Sequence, residues 1–232
     1  MGIFSPKLKR YQKKYDYSYT FGTYPTIDLL RYKKEDVLKV LIHSKNDRSE
    51  GVMEVERLCK ELNIPIEIQD RAIESIAYKE NTYVIGIFKK YESILEKDVN
   101  HLVLVEPSNM GNIGTIIRTM LGFGVKNLGI IKPAVDIFDP KVVRSTMGAI
   151  FQINFQYFNN IDEYITQHPN NNRYPFMLDG GKDIREVEIK EPFAMIQGNE
   201  SAGLPDSYKN IGESIYIPYV KDIDSFNLSV AT

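Results

Sequence analysis

The stretch HLVLVEPSNMGNIGTIIRT, residues 101–119, joins an apolar run to an amphipathic one. The apolar run at 101–107 is typical of a strand that is buried on both faces of a sheet. Asn112 is a favoured helix N-cap residue, and Arg118 lies off the apolar stripe that follows it. The stripe has helical spacing and consists of Ile113, Ile116, Ile117, Met120 and Leu121. The stretch therefore predicts a strand followed by a helix, the repeating unit of a parallel α/β sheet.

The same alternation of apolar and amphipathic runs extends through most of the chain. It predicts strands at 37–43, 64–68, 82–88, 128–133, 152–157, 175–179, 193–197 and 214–218, and helices at 50–62, at 70–78 and after Asp139–Pro140. The charged stretch 89–100 has no strong period and is the best linker candidate. We therefore expect a small α/β domain at 1–95, with a basic tail at 1–14, and a larger α/β domain with a mainly parallel sheet at 100–232.

Composition limits the class of protein. A chain of 232 residues with 43% hydrophobic residues can bury a substantial core. The net charge of −2 hides a basic tip that can either contact phosphate or remain a solvated tail. Its cations are Lys7, Lys9, Arg10, Lys13 and Lys14.

The single cysteine, Cys59, excludes an intramolecular disulfide and suits a reducing compartment. No apolar run approaches the ~20 residues of a membrane span, and no signal sequence is recognisable. We therefore expect a cytoplasmic protein. Because the three histidines are scattered, at His43, His101 and His168, we expect no metal site.

Two more polar stretches follow predicted strands. MIQGNESAGL (195–204) encloses Glu200 between Gly198 and Gly203, which allow a sharp turn and close backbone approach. IPYVKDIDSFNLSVA (217–231) ends in alternating polar residues, Ser225, Asn227 and Ser229, which suit hydrogen bonds to a ribose or an amino-acid head group. Ligands of open α/β sheets bind at the carboxyl ends of strands, so we expect one pocket built from three loops.

Each of these residues also has a plain structural interpretation. Asn112 and the third-stretch residues can be helix caps, and Arg118 can form a surface ion pair. Glu200 can cap the helix that Pro205 helps to open, fix an arginine or accept a ligand hydroxyl. Gly111 and Gly114 do not meet the dinucleotide-binding fingerprint, which disfavours a nicotinamide-dependent oxidoreductase.

In this order, the three stretches resemble the motifs of the SpoU/TrmH family of RNA 2′-O-ribose methyltransferases. The resemblance covers nearly the whole chain. Residues from about 100 are similar to the SPOUT methyltransferase domain, an α/β fold with a C-terminal trefoil knot, and 142–153 is similar to the stretch between its first two motifs. Residues 20–92 more loosely resemble the family's N-terminal RNA-recognition domain, through GTYPTIDLL, VLKVLIHSK and KENTYVIGIF.

The resemblance implies a role for particular residues. The implied catalytic residues are Asn112, Arg118, Glu200, Ser225 and Asn227. The implied contacts to S-adenosylmethionine are Ile196, Gly198, Asn199, Gly203, Ile217, Pro218, Asn227 and Leu228. The implied RNA contacts are Arg118, Arg144, Lys7, Lys9 and Arg10. Lys221 stands where the family usually has Gly, and the family continues into a further helix, which we expect beyond Thr232.

The resemblance also implies a homodimer that transfers methyl from S-adenosylmethionine to a ribose 2′-hydroxyl, most often of ribosomal RNA. The alternatives are a transfer-RNA 2′-O-methyltransferase and a non-catalytic RNA-binding module. An arginine is effectively always protonated. We therefore expect Arg118 mainly to clamp phosphate and ribose, with deprotonated Arg118 as one candidate proton acceptor.

Overall fold

The computed structural model describes residues 8–78, 81–219 and 227–232. Three residues singled out from the sequence, Lys7, Lys221 and Ser225, lie outside these ranges. The described residues divide into two compact units. The first contains residues up to Tyr91 together with Asp136–Phe151, and the second contains Glu92–Val135 and Gln152–Thr232.

Strands and helices alternate along the described chain. The strands are β1 Tyr17–Tyr19, β2 Val37–Ile42, β3 Ile66–Ile68, β4 Val84–Lys89, β5 His101–Val105, β6 Asn127–Ile131, β7 Asn154–Phe158, β8 Asn172–Pro175, β9 Lys182–Asp183, β10 Phe193–Gln197 and β11 Ile215–Tyr216. The helices are α1 Thr23–Tyr32, α2 Glu50–Leu62, α3 Asp70–Ile76, α4 Met110–Gly122, α5 Pro140–Ser145, α6 Ile161–Gln167 and α7 Leu228–Ala231. The predicted elements are present with shifted ends, whereas β1, β9, α1, α6 and α7 were not among the predicted elements.

The first unit is an α/β module with a mixed sheet. Its strand order is β1-β4-β2-β3, in which β4 is antiparallel to both β1 and β2, and only β2 and β3 are parallel. The expectation of mainly parallel pairing is therefore wrong for this part of the chain. Residues of α1 and α2 share one apolar cluster with the sheet, and residues of α3 share another. The module thus has helices on both sheet faces.

A segment from the middle of the chain completes the first unit. The ring of Phe138 lies 5.9 Å from that of Phe88 and 5.0 Å from that of Tyr91, and Phe151 meets Phe88 edge-on at 5.3 Å. The Ser18 hydroxyl donates to the Phe138 carbonyl oxygen at 2.6 Å. Aromatic packing therefore assigns 136–151 to the first unit, and the predicted contiguous boundary near 95–100 needs this correction.

The second unit has a five-stranded sheet in which all four pairings are parallel, as predicted. Its order is β7-β6-β5-β10-β8. The chain runs outward from β5 through β6 to β7, then crosses to β8 at the other edge before β10 pairs with β5. The junction between β5 and β10 is therefore the topological switch point, where loops from both strands leave the same end of the sheet.

No helix within the described ranges is both long and apolar enough to cross a membrane.

Candidate active site

Glu200 joins the loop after β10 to the start of α4. Its Oε2 accepts hydrogen bonds from the Ser108 backbone N–H at 3.2 Å and the Ser108 hydroxyl at 2.9 Å. Its Oε1 accepts from the Asn109 backbone N–H at 3.1 Å and from Asn112 Nδ2 at 3.2 Å. The carboxylate therefore lies at the positive end of α4, where a negative charge is stabilised.

These contacts fix the charge state of Glu200. Partial burial raises its pKa, but hydrogen bonds from its own backbone N–H, from Ser108 and from Asn112 lower it by more. The net pKa lies below the ordinary value of 4.5, so Glu200 is ionised at neutral pH. These donors fill the roughly four acceptor positions of a carboxylate.

Asn109, and not Asn112, caps α4. The Asn109 side chain accepts from the backbone N–H groups of Gly111 at 2.8 Å and Asn112 at 3.1 Å. The predicted capping role of Asn112 is wrong because the helix begins at Met110, which puts Asn112 inside the first turn. Its side-chain amide is thereby directed to Glu200. The sequence predicted that Asn112 and Glu200 belong to one pocket, but it assigned the cap to the wrong asparagine.

Arg118 lies one and a half turns further along α4, and its side chain is exposed. The apolar stripe predicted beside it is buried, at Ile113, Ile116, Ile117 and Met120. Within the described part of the chain, the Arg118 guanidinium has no hydrogen bond or ion pair. The surface ion pair considered from the sequence is therefore not observed there.

A cavity of about 430 Å³ lies beside the 198–203 turn. This volume falls in the range of ~300–1,000 Å³ typical of small-molecule sites. Five residues that the resemblance implied as cofactor contacts line it: Gly198, Asn199, Gly203, Ile217 and Leu228. Ile196, Pro218 and Asn227 are not among the lining residues. Ile196 is fully buried in the core, where its carbonyl oxygen accepts from the Phe176 N–H at 2.9 Å.

The turn is held by Asn199 and by close backbone contact. Asn199 Nδ2 donates to the Glu106 carbonyl oxygen at 2.7 Å, and its Oδ1 accepts from the N–H groups of Ser201 and Ala202. A Cβ atom on Gly198 would lie 2.2 Å from the Gly203 carbonyl carbon. Gly198 is therefore required by the packing of the turn on itself.

The third stretch meets the other two through α7. Asn227 caps this helix, since its Oδ1 accepts from the Ser229 N–H at 2.9 Å and the Ser229 hydroxyl at 2.8 Å. Helix α7 packs against α4. The buried Gln197 side chain donates to the Ala231 carbonyl oxygen at 2.9 Å and accepts from the Thr232 hydroxyl at 2.5 Å. The end of β10 thus binds α7 directly.

Some of the basic residues predicted to contact RNA belong to the first unit, and not to the second unit, which contains Glu200 and Asn112. Arg144 lies on α5 and is exposed, and Lys9 and Arg10 also belong to the first unit. Arg10 Nε donates to the Ser75 carbonyl oxygen at 3.2 Å, and the Lys9 carbonyl oxygen accepts from the Tyr19 hydroxyl at 2.6 Å. From residue 8 onward, the predicted basic tail is therefore anchored on the first unit.

Several site residues were missed from the sequence. Ser108 and Asn109 stand between the predicted strand and the predicted helix, so their polar character was the available signal. Gln197 ends an apolar strand, and a buried amide at that position is a signal for a specific partner. The aromatic lining residues of the cavity gave no recognisable pattern: they are Phe176, Tyr216 and Tyr219. Among the described residues, no cluster of His, Cys, Asp and Glu could hold a metal ion.

Comparison with known proteins identifies relatives along the second unit and beyond. A family model described as the SpoU rRNA Methylase family matches residues 100–232. The 23S rRNA (guanosine(2553)-2′-O)-methyltransferase of Bacillus subtilis is 30% identical over 124 residues, which are 52% of this chain and 50% of that protein. The 23S rRNA (uridine(2479)-2′-O)-methyltransferase of Streptomyces viridochromogenes is 26% identical over 145 residues, 59% of this chain and 50% of that protein. The chain thus spans about half the length of both relatives.

A solved structure resembles almost the whole chain. The AdoMet-bound rRNA methyltransferase from Sinorhizobium meliloti superposes with a TM-score of 0.78 and 25% sequence identity, over 93% of this chain and 84% of that one. The family match begins at β5 and includes the loops after β5 and β10, which meet at the switch point of the sheet. The chain therefore belongs to the SpoU rRNA Methylase family.

Proposed function

We propose that this chain transfers a methyl group from S-adenosylmethionine to a ribose 2′-hydroxyl of RNA. The observation that carries the proposal is the meeting of Asn112, Glu200 and the adjoining cavity where β5 and β10 end. Membership of the SpoU family supports methyl transfer as the reaction at this site. The relatives described above are named as 2′-O-methyltransferases, which agrees with this reaction.

The lining of the cavity fits S-adenosylmethionine. Apolar side chains, among them Phe176, Leu178 and Leu228, suit an adenine ring, and the polar turn 198–203 suits the ribose and amino-acid groups. Gly198, Ile217 and Leu228, whose backbone the resemblance associates with adenosine, all line this cavity. When bound, the cofactor supplies an electrophilic methyl group on a sulfonium centre.

Glu200 is a positioning residue in this proposal. Its carboxylate is ionised and its acceptor positions are filled by Ser108, Asn109 and Asn112. It therefore does not take the proton of the substrate hydroxyl. Its role is to hold the start of α4 against the 198–203 turn, so that the RNA-binding and cofactor-binding groups keep a fixed geometry.

Asn112 and Arg118 act on the RNA. Because Asn112 Nδ2 donates to Glu200, its Oδ1 can accept a hydrogen bond from the ribose 2′-hydroxyl and orient that oxygen toward the methyl group. The exposed guanidinium of Arg118 can bind a phosphate in a bidentate manner. Alignment of the two reactants supplies much of the rate in such a transfer. Asn227, as the cap of α7, shapes the cofactor side of the site.

We propose ribosomal RNA as the substrate and the first unit as the part that recognises it. The support is that the two relatives described above are named for 23S rRNA, and that the likeness to the S. meliloti rRNA methyltransferase extends over 93% of the chain. We also propose a trefoil knot in the second unit and a homodimer, on the basis of the family. Light scattering on the purified protein tests the dimer, and a monomer at all concentrations contradicts it.

The activity is tested in two steps. Calorimetric titration should detect binding of S-adenosylmethionine and no comparable binding of NAD. Mapping of 2′-O-methyl groups in ribosomal RNA from cells with and without the protein should then reveal one site that depends on it. Absence of both cofactor binding and a dependent methyl group contradicts the proposal, whereas a dependent site in transfer RNA would redirect only the substrate.

A further inference from the structure

A second cavity, of about 300 Å³, lies wholly within the first unit. It shares no lining residue with the cavity beside the 198–203 turn. Three aromatic side chains line it, Phe21, Tyr78 and Tyr83, and Arg144 lies at the same cavity. We refer to it as the aromatic cavity. Its volume is at the small end of the range for ligand sites and suits one ring system rather than a duplex.

The aromatic walls are partly open to solvent. Tyr78 is 43% exposed and Phe21 is half-buried. Their ring centroids are 5.4 Å apart with planes 77° from parallel, so one ring's edge meets the other ring's face and part of each face stays uncovered. Exposed aromatic faces of this kind are stacking platforms for the bases of single-stranded nucleic acids, whatever their sequence.

The aromatic cavity has one cation and one acid among its described lining residues, Arg144 and Asp47. Arg144 is exposed and makes no ion pair or hydrogen bond with any described residue. The helices α1 and α2 both begin at the cavity. Gly22, the N-cap of α1, has no side chain, and the side chain of Ser49, the N-cap of α2, makes no capping hydrogen bond. Asp47 is the one acid among the described lining residues, and its carboxylate already accepts from the Ser49 N–H at 3.1 Å. A phosphate beside Arg144 would thus be attracted by the guanidinium and by two helix ends.

Tyr78, Asn81, Thr82 and Tyr83 also line another cavity of the first unit. This cavity, of about 520 Å³, is also lined by His43, Lys45 and Glu74. Asn81 Oδ1 accepts from the Tyr83 hydroxyl at 3.3 Å, which leaves the Asn81 amide N–H groups to donate to a base edge. An RNA strand bound at the aromatic cavity could therefore extend along these shared residues into the other cavity.

We propose that the aromatic cavity binds an unpaired RNA nucleotide, with its base against Tyr78 and Phe21 and its phosphate at Arg144. This contact is separate from the ribose that receives the methyl group. The inference rests on the proposed function in that the RNA bound here is the substrate. It adds that recognition requires a looped-out or single-stranded base, and not duplex shape alone.

Cross-linking locates the base. The full chain, without S-adenosylmethionine, is mixed with a single-stranded RNA of about ten nucleotides that carries 5-iodouridine, a length within the range of single-strand binding sites. After irradiation, mass spectrometry identifies the modified peptide. We expect cross-links to Phe21, Tyr78 or Tyr83, and fewer to a fully paired duplex. Cross-links confined to the second unit overturn the proposal.

Variants test the energetics by fluorescence anisotropy with the same RNA. Tyr78→Ala should weaken binding about tenfold, the effect expected for loss of one base–aromatic stack. Tyr24→Ala, at a residue of α1 that is 70% exposed and outside the cavity, should leave binding unchanged. Arg144→Ala should lower the slope of log affinity against log salt by about 0.7, the value for one single-strand phosphate contact. Lys141→Ala, an exposed cation on the same helix, should change the slope less.

Two further measurements distinguish binding of an RNA nucleotide from binding of a free nucleotide and from no binding. Adenosine monophosphate should compete only weakly with the oligonucleotide. Full competition at equal concentration would identify a site for free nucleotides and overturn the proposal. Absence of RNA binding up to about 100 µM, the weak end of non-specific nucleic-acid affinities, also overturns it. Because no arm uses methyl transfer, an inactive enzyme that still cross-links at Tyr78 would refute the proposed function and leave this inference standing.

Discussion

Glu200 and Asn112 lie 88 residues apart in sequence, and their side chains meet at 3.2 Å. The sequence predicts the environment of each residue, one after β10 and one at the start of a helix. It does not predict their contact, because that contact depends on the pairing of β5 with β10, which only the folded sheet brings about. Asn109 and Asn112 are both good caps, so residue type alone could not decide between them.

Replacement of Glu200 by Gln tests the positioning role through stability. We expect the free energy of unfolding to fall by about 0.5–1 kcal/mol at pH 7, because a charge at a helix N-terminus is lost in a partly exposed position. The lowered pKa means that this stabilisation is complete above the ordinary value of 4.5 and is lost as pH falls through the lower folded value. Urea unfolding at pH 7 and near pH 3 should therefore give a difference between wild type and E200Q that narrows in acid. A difference independent of pH contradicts this account.

Replacement of Arg118 tests the proposed contact with the substrate. Arg118→Ala should lower single-turnover methyl transfer by about 100-fold or more, because the RNA loses its alignment. Binding of S-adenosylmethionine should stay within a few-fold, since Arg118 does not line the cavity. Arg118→Lys should fail nearly as badly, because an ammonium lacks the planar fork of donors.

Lys126→Ala is the matched control for Arg118→Ala. It removes an exposed cation just before β6, at the amino end of the sheet and away from the loops of the site. We expect normal turnover in this variant. Near-normal turnover in Arg118→Ala itself would make Arg118 an ordinary surface residue.

At the scale of elements, the periodic runs were predictable and the short or edge elements were not. The stripe of α4 and the apolar run of β5 gave correct elements because both sets of apolar residues are buried in the second unit. The predicted strand at 175–179 lies instead at Asn172–Pro175, where an edge position accepts the polar Asn172 and Arg173. Met177, which made the later stretch look like a strand, packs in the core beyond the strand end.

Replacement of Gly198 tests whether the 198–203 turn must keep its close backbone packing. Gly198→Ala should weaken binding of S-adenosylmethionine at least tenfold and destabilise the protein, because its Cβ would lie within 2.5 Å of the Gly203 and Leu204 backbone. Gly122→Ala is the control, since a Cβ there would meet nothing within 4 Å at the end of α4. Calorimetry with the cofactor distinguishes the two variants. Equal affinities in both would mean that the turn opens without loss of the site.

At the scale of the whole molecule, the linker predicted two contiguous domains, whereas the first unit also contains 136–151, which the sequence did not indicate. Its apolar residues, such as Phe138 and Phe151, look like core residues of whichever unit surrounds them. Only their rings' contacts with Phe88 and Tyr91 assign them to the first unit.

The buried imidazole of His168 should make the free energy of unfolding depend on pH. It is 4% exposed, and neither ring nitrogen has a hydrogen-bond partner among the described residues. Burial, followed by repulsion from His101 and Lys97, lowers its pKa from 6.5 to about 4. Between these values the unfolded chain binds a proton that the folded protein does not, so the free energy of unfolding should fall as pH falls through this window.

His168→Phe should remove this proton uptake and flatten the loss of stability between pH 6.5 and 4. The ring would remain among the aromatic rings of Phe158 and Tyr164, so the packing should be retained. Urea denaturation midpoints across the window measure the effect. Identical pH slopes in the wild type and in H168F would contradict this origin of acid sensitivity.

The assignment of 136–151 to the first unit has a consequence for recombination between relatives. The stretch from 92 to 100 invites a crossover, because no helix or strand would be cut there. A hybrid joined at that point would nevertheless inherit Phe88 from one parent, and Phe138 and Phe151 from the other. To exchange the first unit between relatives, two separate gene segments must therefore be transferred, with 136–151 accompanying the segment that ends at Tyr91.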